Sequence, residues 1–345
     1  MQPQSSPLDD ALRRVAGGGV LDAPAATAAF GELIGGRATP AQAAGLLMGL
    51  RARGEMPEEL AGAVLALREA MVRVPTPAGC IVIDTCGTGG GRVPTFNIST
   101  AAALVATAAG ALVAKHGNRS YTSRCGSADV LEALAVDIAL DADRAAAMLH
   151  HAGMTFLFAP AFHPAMRFVA PVRKELGVPT IMNLVGPLAN PAGVRRQVVG
   201  VADADRAPVI AGALAHLGTE HALVVHAAVG MDEIAPVGET RVWEIRDGRS
   251  AEWTIDATAF RLGKVDLMAL AGGEPPDNAA RIERLLAEPD RDAAGRAAVI
   301  LNAGAAIYVA GLVEAFGDGV AYAAAVLDER RAAPTLDRLR RGGTA

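Results

Sequence analysis

Residues 84–100 form the densest group of side chains and glycines that could bind a ligand. The segment reads Asp-Thr-Cys-Gly-Thr-Gly-Gly-Gly-Arg-Val-Pro-Thr-Phe-Asn-Ile-Ser-Thr and follows a short apolar run typical of a buried strand. Glycine permits positive φ angles and lets backbone amides approach a ligand closely. The first amides of the helix predicted at 97–109 would add partial positive charge. We therefore predict a strand-to-helix loop that binds a phosphorylated small molecule, with a tight structural turn as the alternative.

The loop matches neither of the common nucleotide-binding glycine patterns. The Gly-x-x-x-x-Gly-Lys-Ser/Thr sequence of a P-loop is absent, and the spacing Gly-x-Gly-Gly-Gly differs from the dinucleotide-binding fingerprint. Hydroxyl groups would instead supply neutral hydrogen-bond donors to a phosphate. They belong to Thr88, Thr95, Ser99 and Thr100.

A second polar segment, Lys115-His-Gly-Asn-Arg119, follows the next predicted strand. Because ligand sites in open α/β sheets lie beyond the carboxyl ends of strands, both segments are expected at one edge of the sheet. Lys115 and Arg119 could bind phosphate, the arginine through two parallel hydrogen bonds. Asn118 offers a donor and an acceptor to an organic substrate. A solvated basic turn is the alternative, and His116 alone is as typical of a structural histidine.

Two further groups could add charge to this site. Asp232 and Glu233 are adjacent carboxylates shortly after a predicted strand, and Mg²⁺ prefers carboxylates combined with phosphate oxygens. Such pairs also occur by chance, so this pair alone is not specific. Arg167 and Arg173 follow His163 and could meet an anionic substrate, but their spacing is equally typical of arginines on a surface helix.

The composition argues against several classes of protein. A net charge of −5 gives no support to nucleic acid as the main partner. No apolar run reaches the roughly 18 residues that span a bilayer, and the N-terminus lacks the features of a signal peptide. The three cysteines show neither metal-binding spacing nor the even number of a disulfide scaffold. We expect a soluble, cytoplasmic, globular protein.

The elements that must position the site change character near residue 75. Residues 8–72 show only helix signals, and the Pro-Thr-Pro cluster at 75–77 ends them. Strand and helix signals then alternate, which favours an α/β layer with a mostly parallel sheet. Residues 164–188 are helical in pattern and are expected outside that sheet. The predicted strands are 80–84, 111–115, 155–158 and 221–226.

Taken together, these motifs resemble those of the anthranilate phosphoribosyltransferases, and they span nearly the whole chain. The resemblance implies that the phosphoribosyl group of 5-phosphoribosyl 1-diphosphate is transferred to the amine of anthranilate. The products would be N-(5-phosphoribosyl)anthranilate and diphosphate, in the second step of tryptophan synthesis from chorismate. The matching segments are Gly87-Thr-Gly-Gly, Thr95-Phe-Asn-Ile-Ser-Thr100, Lys115-His-Gly-Asn-Arg119, Gly126-Ser-Ala-Asp-Val-Leu-Glu-Ala-Leu134, His163-Pro-Ala-Met166, Pro171-Val-Arg-Lys-Glu-Leu-Gly177, Asn183-Leu-Val-Gly-Pro-Leu-Ala-Asn-Pro191 and Gly230-Met-Asp-Glu-Ile234.

The resemblance also implies a role for each site residue. Phosphoribosyl diphosphate would contact Gly87, Thr88, Gly89, Gly90, Thr95, Asn97, Ser99, Thr100, Lys115 and Ser127. Anthranilate would contact Gly87, His116, Asn118, His163 and Arg173, and Mg²⁺ would be held by Ser99, Asp232 and Glu233. No general base is evident. Because the amine of anthranilate is neutral at pH 7, charge stabilisation and alignment are expected to drive the reaction.

The fold implied by the resemblance is a small all-helical domain joined to a larger α/β domain with a mostly parallel central sheet. The helical domain would comprise residues 1–75 with a returning segment near 170–190, and it would form a homodimer. The α/β domain would comprise residues 76–169 and 191–345. Two positions depart from the family. Met182 replaces the usual phenylalanine, a minor packing change, and Gly91 stands where aspartate is usual, which predicts weaker magnesium coupling or an altered dependence on metal with activity retained.

Three other interpretations compete with this one. A pyrimidine nucleoside phosphorylase shares the fold but carries Lys-His-Ser-Thr-Gly-Gly, where this chain has Asp84-Thr-Cys-Gly-Thr-Gly-Gly. A non-catalytic relative that binds nucleic acid should have a basic face and a degraded Lys115–Arg119 segment. The third possibility is a simple phosphate-binding protein in which the carboxylates and arginines are surface residues.

Overall fold

The computed structural model describes residues 5–120 and 124–342, in which helices precede a mixed sheet. The helices are α1 (Pro7–Ala16), α2 (Ala23–Ile34), α3 (Pro40–Arg53), α4 (Pro57–Ala70), α5 (Ile98–Ala108), α6 (Ser127–Ala133), α7 (Ala142–Ala152), α8 (Ala159–Phe162), α9 (Ala170–Leu176), α10 (Met182–Val185), α11 (Ala207–His216), α12 (Pro275–Ala287), α13 (Ala293–Val309), α14 (Phe316–Asp328) and α15 (Ala333–Arg340). The strands are β1 (Val82–Gly87), β2 (Leu112–Gly117), β3 (Met154–Phe158), β4 (Arg196–Gly200), β5 (His221–Ala227), β6 (Glu239–Arg246) and β7 (Arg249–Asp256).

The seven strands form one sheet in the order β3-β2-β1-β4-β5-β6-β7. Strands β1 to β5 are parallel, and β6 and β7 add an antiparallel hairpin at one edge. This arrangement confirms the predicted fold class. The prediction did not include β4, β6 or β7. In β4 the apolar run is only Val198-Val-Gly-Val201, which is too short to separate from a loop by periodicity.

The predicted bounds of β1 and β2 are shifted toward the N-terminus. The apolar run predicted a strand at 80–84, but Ile81 is exposed and β1 extends to Gly87. The extension is a consequence of pairing, because β1 runs in parallel register with β4 from Ile83 to Gly87. The end of β1 is therefore set by pairing with its neighbouring strand, and it cannot be located from the apolar pattern alone.

The N-terminal helices pack around one hydrophobic core with the segment that follows α8. In that segment α9 packs against α3, and α10 packs against α4. Local signals begin these helices: Thr39 caps α3 through a capping box with Gln42, and proline opens α3 and α4. The predicted domain boundary near residue 75 falls in the extended stretch between α4 and β1. The division into domains itself stays a prediction.

The sheet is covered on both faces, and alternate residues of its strands belong to different cores. In β5, Leu223 and Val225 join the core with α5 and α13, whereas Ala222 and Val224 join the core with α11 and the N-terminal helices. Both α5 and α13 are buried along almost their whole length. In the part of the chain that the structure describes, no helix has the length and apolar character needed to cross a membrane.

Two buried polar contacts join the helical region, which comprises α1–α4 and residues 164–188, to the part of the chain that contains the sheet. Arg206, just before α11, pairs with Glu55 of the helical region at 3.2 Å. Asn190, where the chain returns to the sheet, donates from Nδ2 to Asp84 Oδ2 and to the Ala114 carbonyl, each at 2.8 Å. Because buried polar groups are costly when unpaired, these contacts hold the two regions in one relative position.

Candidate active site

The glycine loop, residues 87–97, which join β1 to α5, leaves the sheet at the point where the strand order reverses direction. Strands β1 and β4 are neighbours, with β2 and β3 on one side and β5 on the other. Such a switch point leaves a crevice beyond the carboxyl ends of the two strands. These ends meet at Gly87 and Gly200, which are paired in register. Asp84, where we expected the strand to end, lies inside β1 and is fully buried.

The glycines of this loop have two different roles. Gly89 and Gly90 have φ angles of +68° and +81°, and a Cβ at either position would have no atom within 4 Å. This part of the loop therefore borders open space. A Cβ on Gly87 would lie 2.9 Å from Asp232 Oδ2, and one on Gly91 would lie 3.0 Å from Asp232 Oδ1. These two glycines allow the carboxylate to approach the loop.

Helix α5, which follows the loop, begins without a side-chain cap. Asn97 occupies the capping position, but its Nδ2 donates to the Cys125 carbonyl at 3.2 Å and its Oδ1 accepts from Asn278 at 2.9 Å. The carboxyl group of Glu233 accepts from the Ser99 amide instead, and the Thr100 amide donates to the Asn97 carbonyl at 3.1 Å, so the acidic residue meets the start of the helix where negative charge is favoured. Ser99 is half-buried, whereas Thr100 is fully buried and its hydroxyl has no hydrogen-bond partner among the described residues.

Lys115 lies beneath the glycine loop and is almost fully buried. Its ammonium donates to the Thr85 carbonyl and, at 3.2 Å, to Ser99 Oγ. Burial lowers the pKa of Lys115, and the nearby carboxylates of Asp84 and Glu233 oppose that effect. Burial also raises the pKa of Asp84 to about 6. Lys115 therefore offsets the charge of these carboxylates, and it contacts the proposed site at Ser99.

Asp232 and Glu233 lie on the acidic loop, residues 228–238 between β5 and β6, and face the glycine loop. The Gly89 amide donates to Asp232 Oδ2 at 2.9 Å, and the Thr95 hydroxyl donates to Glu233 Oε2 at 3.0 Å. Burial raises the pKa of both carboxyl groups, and for Glu233, at about 8, the Asp232 charge is the second cause. Within the described ranges neither forms an ion pair. A bound cation would stabilise both carboxylates.

The oxygen atoms present fit a magnesium ion that shares its ligands with a substrate. Mg²⁺ in such sites binds one or two carboxylates together with phosphate oxygens and water. Asp232 and Glu233 supply the carboxylates, and Ser99 supplies a hydroxyl oxygen on the facing helix. Across residues 5–120 and 124–342, no cluster of three or more His, Cys, Asp or Glu side chains could hold a metal alone. Phosphate oxygens would complete the site.

The Lys115–Arg119 segment lies against α6. Arg119, which we expected to bind phosphate, instead pairs with two acids of α6, of which Glu132 is the closer at 2.6 Å. Asn118 is half-buried, and its Oδ1 accepts from the Arg119 amide at 2.8 Å. Ser127 Oγ donates to the Asn118 carbonyl at 3.3 Å. The structure thus keeps Asn118 and Ser127 together and directs Arg119 away from the predicted role.

His116 and His163 are buried against each other, with their Nε2 atoms 3.2 Å apart. Burial lowers the pKa of His116 to about 3 and that of His163 to about 4. Both rings are therefore neutral at physiological pH, and both are weak bases. The contact joins β2 to the segment that follows α8, at the junction between the sheet and the helical region.

The two arginines after His163 lie on helical segments outside the sheet. Arg173 is half-buried in the last turn of α9, which packs against α3. Arg167 lies with its guanidinium 4.7 Å from the ring centroid of exposed Phe168. The position of Arg167 matches the surface alternative. Arg173 belongs to the helical region, so substrate contact would require it to act across the junction with the sheet.

Sequence reasoning missed the segment that holds the end of the glycine loop. The Phe96 amide donates to the Leu270 carbonyl at 2.9 Å. Asn278, in the first turn of α12, accepts from the Gly273 amide at 2.7 Å and donates to Asn97 at 2.9 Å. Asn278 therefore orients the residue at the start of α5. The sequence signal for this contact is a Gly-Gly pair before a helix, which does not indicate a site by itself.

Two family models match the chain in succession. The glycosyl transferase family, helical bundle domain, matches residues 9–71. The glycosyl transferase family, a/b domain, matches residues 79–333. The second match includes the glycine loop, the Lys115–Arg119 segment and the acidic loop.

Known proteins resemble the chain over almost its whole length. The anthranilate phosphoribosyltransferase of Methylobacterium radiotolerans is 48% identical over 328 residues, which are 95% of this chain and 94% of that protein. The crystal structure of the Thermus thermophilus enzyme has a TM-score of 0.91 at 42% identity and covers 97% of this chain and 100% of that one. The Saccharomyces cerevisiae enzyme in complex with PRPP and Mg has a TM-score of 0.86 at 25% identity, over 97% of each chain. This chain belongs to the anthranilate phosphoribosyltransferase family.

Proposed function

We propose that this enzyme carries out its reaction through the residues assembled at the β1–β4 crevice. The reaction transfers the phosphoribosyl group of 5-phosphoribosyl 1-diphosphate to the amine of anthranilate, giving N-(5-phosphoribosyl)anthranilate and diphosphate. One observation carries the assignment of the site. An open glycine loop, the start of α5 and a partly buried carboxylate pair meet at the same place. These groups suit a diphosphate and its cation, and family membership supplies the reaction.

The diphosphate and ribose are proposed to lie between the glycine loop and α5. Amides at a helix start bind phosphate oxygens through hydrogen bonds and partial positive charge. Lys115 and Thr100 are buried, so they support this surface from beneath, and Lys115 does so through Ser99. The proposed binding residues are Gly87, Thr88, Gly89, Gly90, Thr95, Asn97, Ser99, Thr100, Lys115 and Ser127.

Anthranilate is proposed to enter between the sheet and the helical region. Asn118 and Arg173 suit its amine and carboxylate, and Gly87 is proposed to border it through its backbone. His116 and His163 border this junction as neutral rings with pKa values of about 3 and about 4. Such weak bases would remove a proton poorly, which agrees with a neutral amine that attacks without a strong base. Catalysis then depends on alignment and on stabilising charge.

Magnesium is proposed to join the acidic loop to the diphosphate. The relative from Saccharomyces cerevisiae was solved in complex with PRPP and Mg. In this chain Ser99, Asp232 and Glu233 would hold the ion, and a bound ion would stabilise the negative charge that grows on the departing diphosphate. The raised pKa values of both carboxyls, caused by burial, support a cation at this position.

The reaction is tested by following anthranilate fluorescence after adding phosphoribosyl diphosphate and Mg²⁺ to the purified protein. We expect the fluorescence to fall as the amine becomes substituted. A separate incubation with thymidine and phosphate, analysed for released thymine, tests the nucleoside phosphorylase alternative, and no thymine is expected. If anthranilate fluorescence stayed constant at every magnesium concentration, the enzyme assignment would be wrong.

Gly91 is predicted to set the response to magnesium. In Gly91→Asp the new Cβ would lie 3.0 Å from Asp232 Oδ1 and 3.3 Å from the Gly230 carbonyl, which adds a carboxylate beside the proposed ion. A carboxylate and a divalent ion about 4 Å apart attract by about 2 kcal/mol in water, so the half-maximal magnesium concentration should fall about thirtyfold. Gly91→Asn has nearly the same shape without the charge and serves as the control. Superimposable magnesium titrations of wild type and Gly91→Asp would contradict this prediction.

The enzyme is proposed to form a homodimer through its helical region. Several apolar side chains are exposed there, including Met48, Leu65, Phe168 and Val178. Sedimentation equilibrium should give twice the 35.2 kDa mass of one chain. Phe168→Glu should shift the protein toward monomer, whereas Met268→Glu, at an exposed site of the α/β region, should not. A wild-type protein that sediments as a monomer at micromolar concentration would exclude this dimer.

A further inference from the structure

Asn302, a buried residue of α13, holds the acidic loop from behind. Its Oδ1 accepts from the Ile234 amide at 3.0 Å, and its Nδ2 donates to the Ile234 carbonyl at 2.9 Å. Nδ2 also donates to the Ala298 carbonyl at 2.9 Å, one turn earlier in α13. One side-chain amide therefore satisfies both backbone groups of the residue that follows Glu233.

The rest of α13 does not account for an asparagine at this position. The helix is apolar and buried along almost its whole length, and asparagine is a weaker helix former than alanine or leucine. A buried amide is costly unless its hydrogen bonds are made. Asn302 makes three of them, and two reach the acidic loop across 68 residues of sequence. Most of its hydrogen bonds are therefore made to the acidic loop, and one is made within α13.

The acidic loop needs such an anchor because of the charges it carries. Asp232 and Glu233 are adjacent, partly buried and of like charge, so the backbone must hold two carboxylates side by side facing the glycine loop. Their neighbours Met231 and Ile234 are fully buried, so the loop is attached to the core on both sides of the pair. Asn302 adds a directional contact at Ile234, which orients the backbone that presents both carboxylates.

We propose that Asn302 is a positioning residue that orients Asp232 and Glu233 toward the magnesium–diphosphate complex and thereby sets the affinity for the ion. The inference rests on the proposed magnesium site. Asn302 itself touches neither carboxylate, and it acts through the Ile234 backbone. Loss of such an outer partner commonly weakens metal binding or activity tenfold to a hundredfold.

The test measures Mn²⁺ affinity by electron paramagnetic resonance in the presence of phosphoribosyl diphosphate. Asn302→Ala and Asn302→Leu should each weaken Mn²⁺ binding about tenfold or more. Leucine fills the space that alanine would leave and favours the helix, so Asn302→Leu separates orientation of the loop from loss of packing. The Michaelis constant for phosphoribosyl diphosphate at limiting metal should rise in both variants, and saturating metal should reverse much of that rise.

A matched control removes buried contacts away from the loop. Val326→Ala truncates a fully buried side chain on α14, so it should lower the melting temperature while leaving Mn²⁺ affinity unchanged. The proposal is overturned if the Asn302 variants keep wild-type Mn²⁺ affinity, or if Val326→Ala weakens it equally. If the wild-type enzyme bound no Mn²⁺ with phosphoribosyl diphosphate, the magnesium site itself would fail and the inference with it.

Discussion

The close approach of the acidic loop to the ends of β1 and β4 is the constraint on which the site depends. Gly200 pairs with Gly87 on one side and with Val225 on the other, so its backbone is fixed by both neighbouring strands. A Cβ at Gly200 would lie 1.6 Å from the Asp232 carbonyl oxygen, which is closer than any contact allows. The absence of a side chain there lets two adjacent carboxylates lie against the glycine loop.

Among the described residues, few of the charged side chains near the glycine loop form direct ion pairs. Their charges are instead offset by nearby groups of opposite charge. Lys115 is buried between Asp84 and the glycine loop, and its ammonium contacts the Ser99 hydroxyl. The pKa of Glu233 is raised to about 8 by burial and by the Asp232 charge. A cation that arrived with a diphosphate would balance the charge of both carboxylates. This balance agrees with a reaction driven by electrostatic stabilisation and alignment, without a strong base.

Local sequence patterns were sufficient to predict the fold class, and the resemblance of the motifs predicted the family. Capping residues, apolar periodicity and glycine clusters act over a few residues, and the structure follows them closely. The features that were missed include strands β4, β6 and β7 and several contacts between distant segments. Arg119 was expected to bind phosphate, but acids on α6 pair with it. Asn278 and Asn302 carry no local signal, because their partners Asn97 and Ile234 lie 181 and 68 residues away. The roles of individual site residues stay predictions.

Isothermal titration calorimetry of phosphoribosyl diphosphate binding to Gly200→Ala, with and without Mg²⁺, tests whether the acidic loop must lie against the ends of β1 and β4. The added methyl group must push the acidic loop away, and a displacement of about 1 Å commonly costs a hundredfold in activity. We predict that Mg²⁺ strengthens binding to the wild type and to Gly317→Ala, a control with no atom within 4 Å of its new Cβ. It should not strengthen binding to Gly200→Ala. A Gly200→Ala enzyme that responds to Mg²⁺ like the wild type would contradict the account.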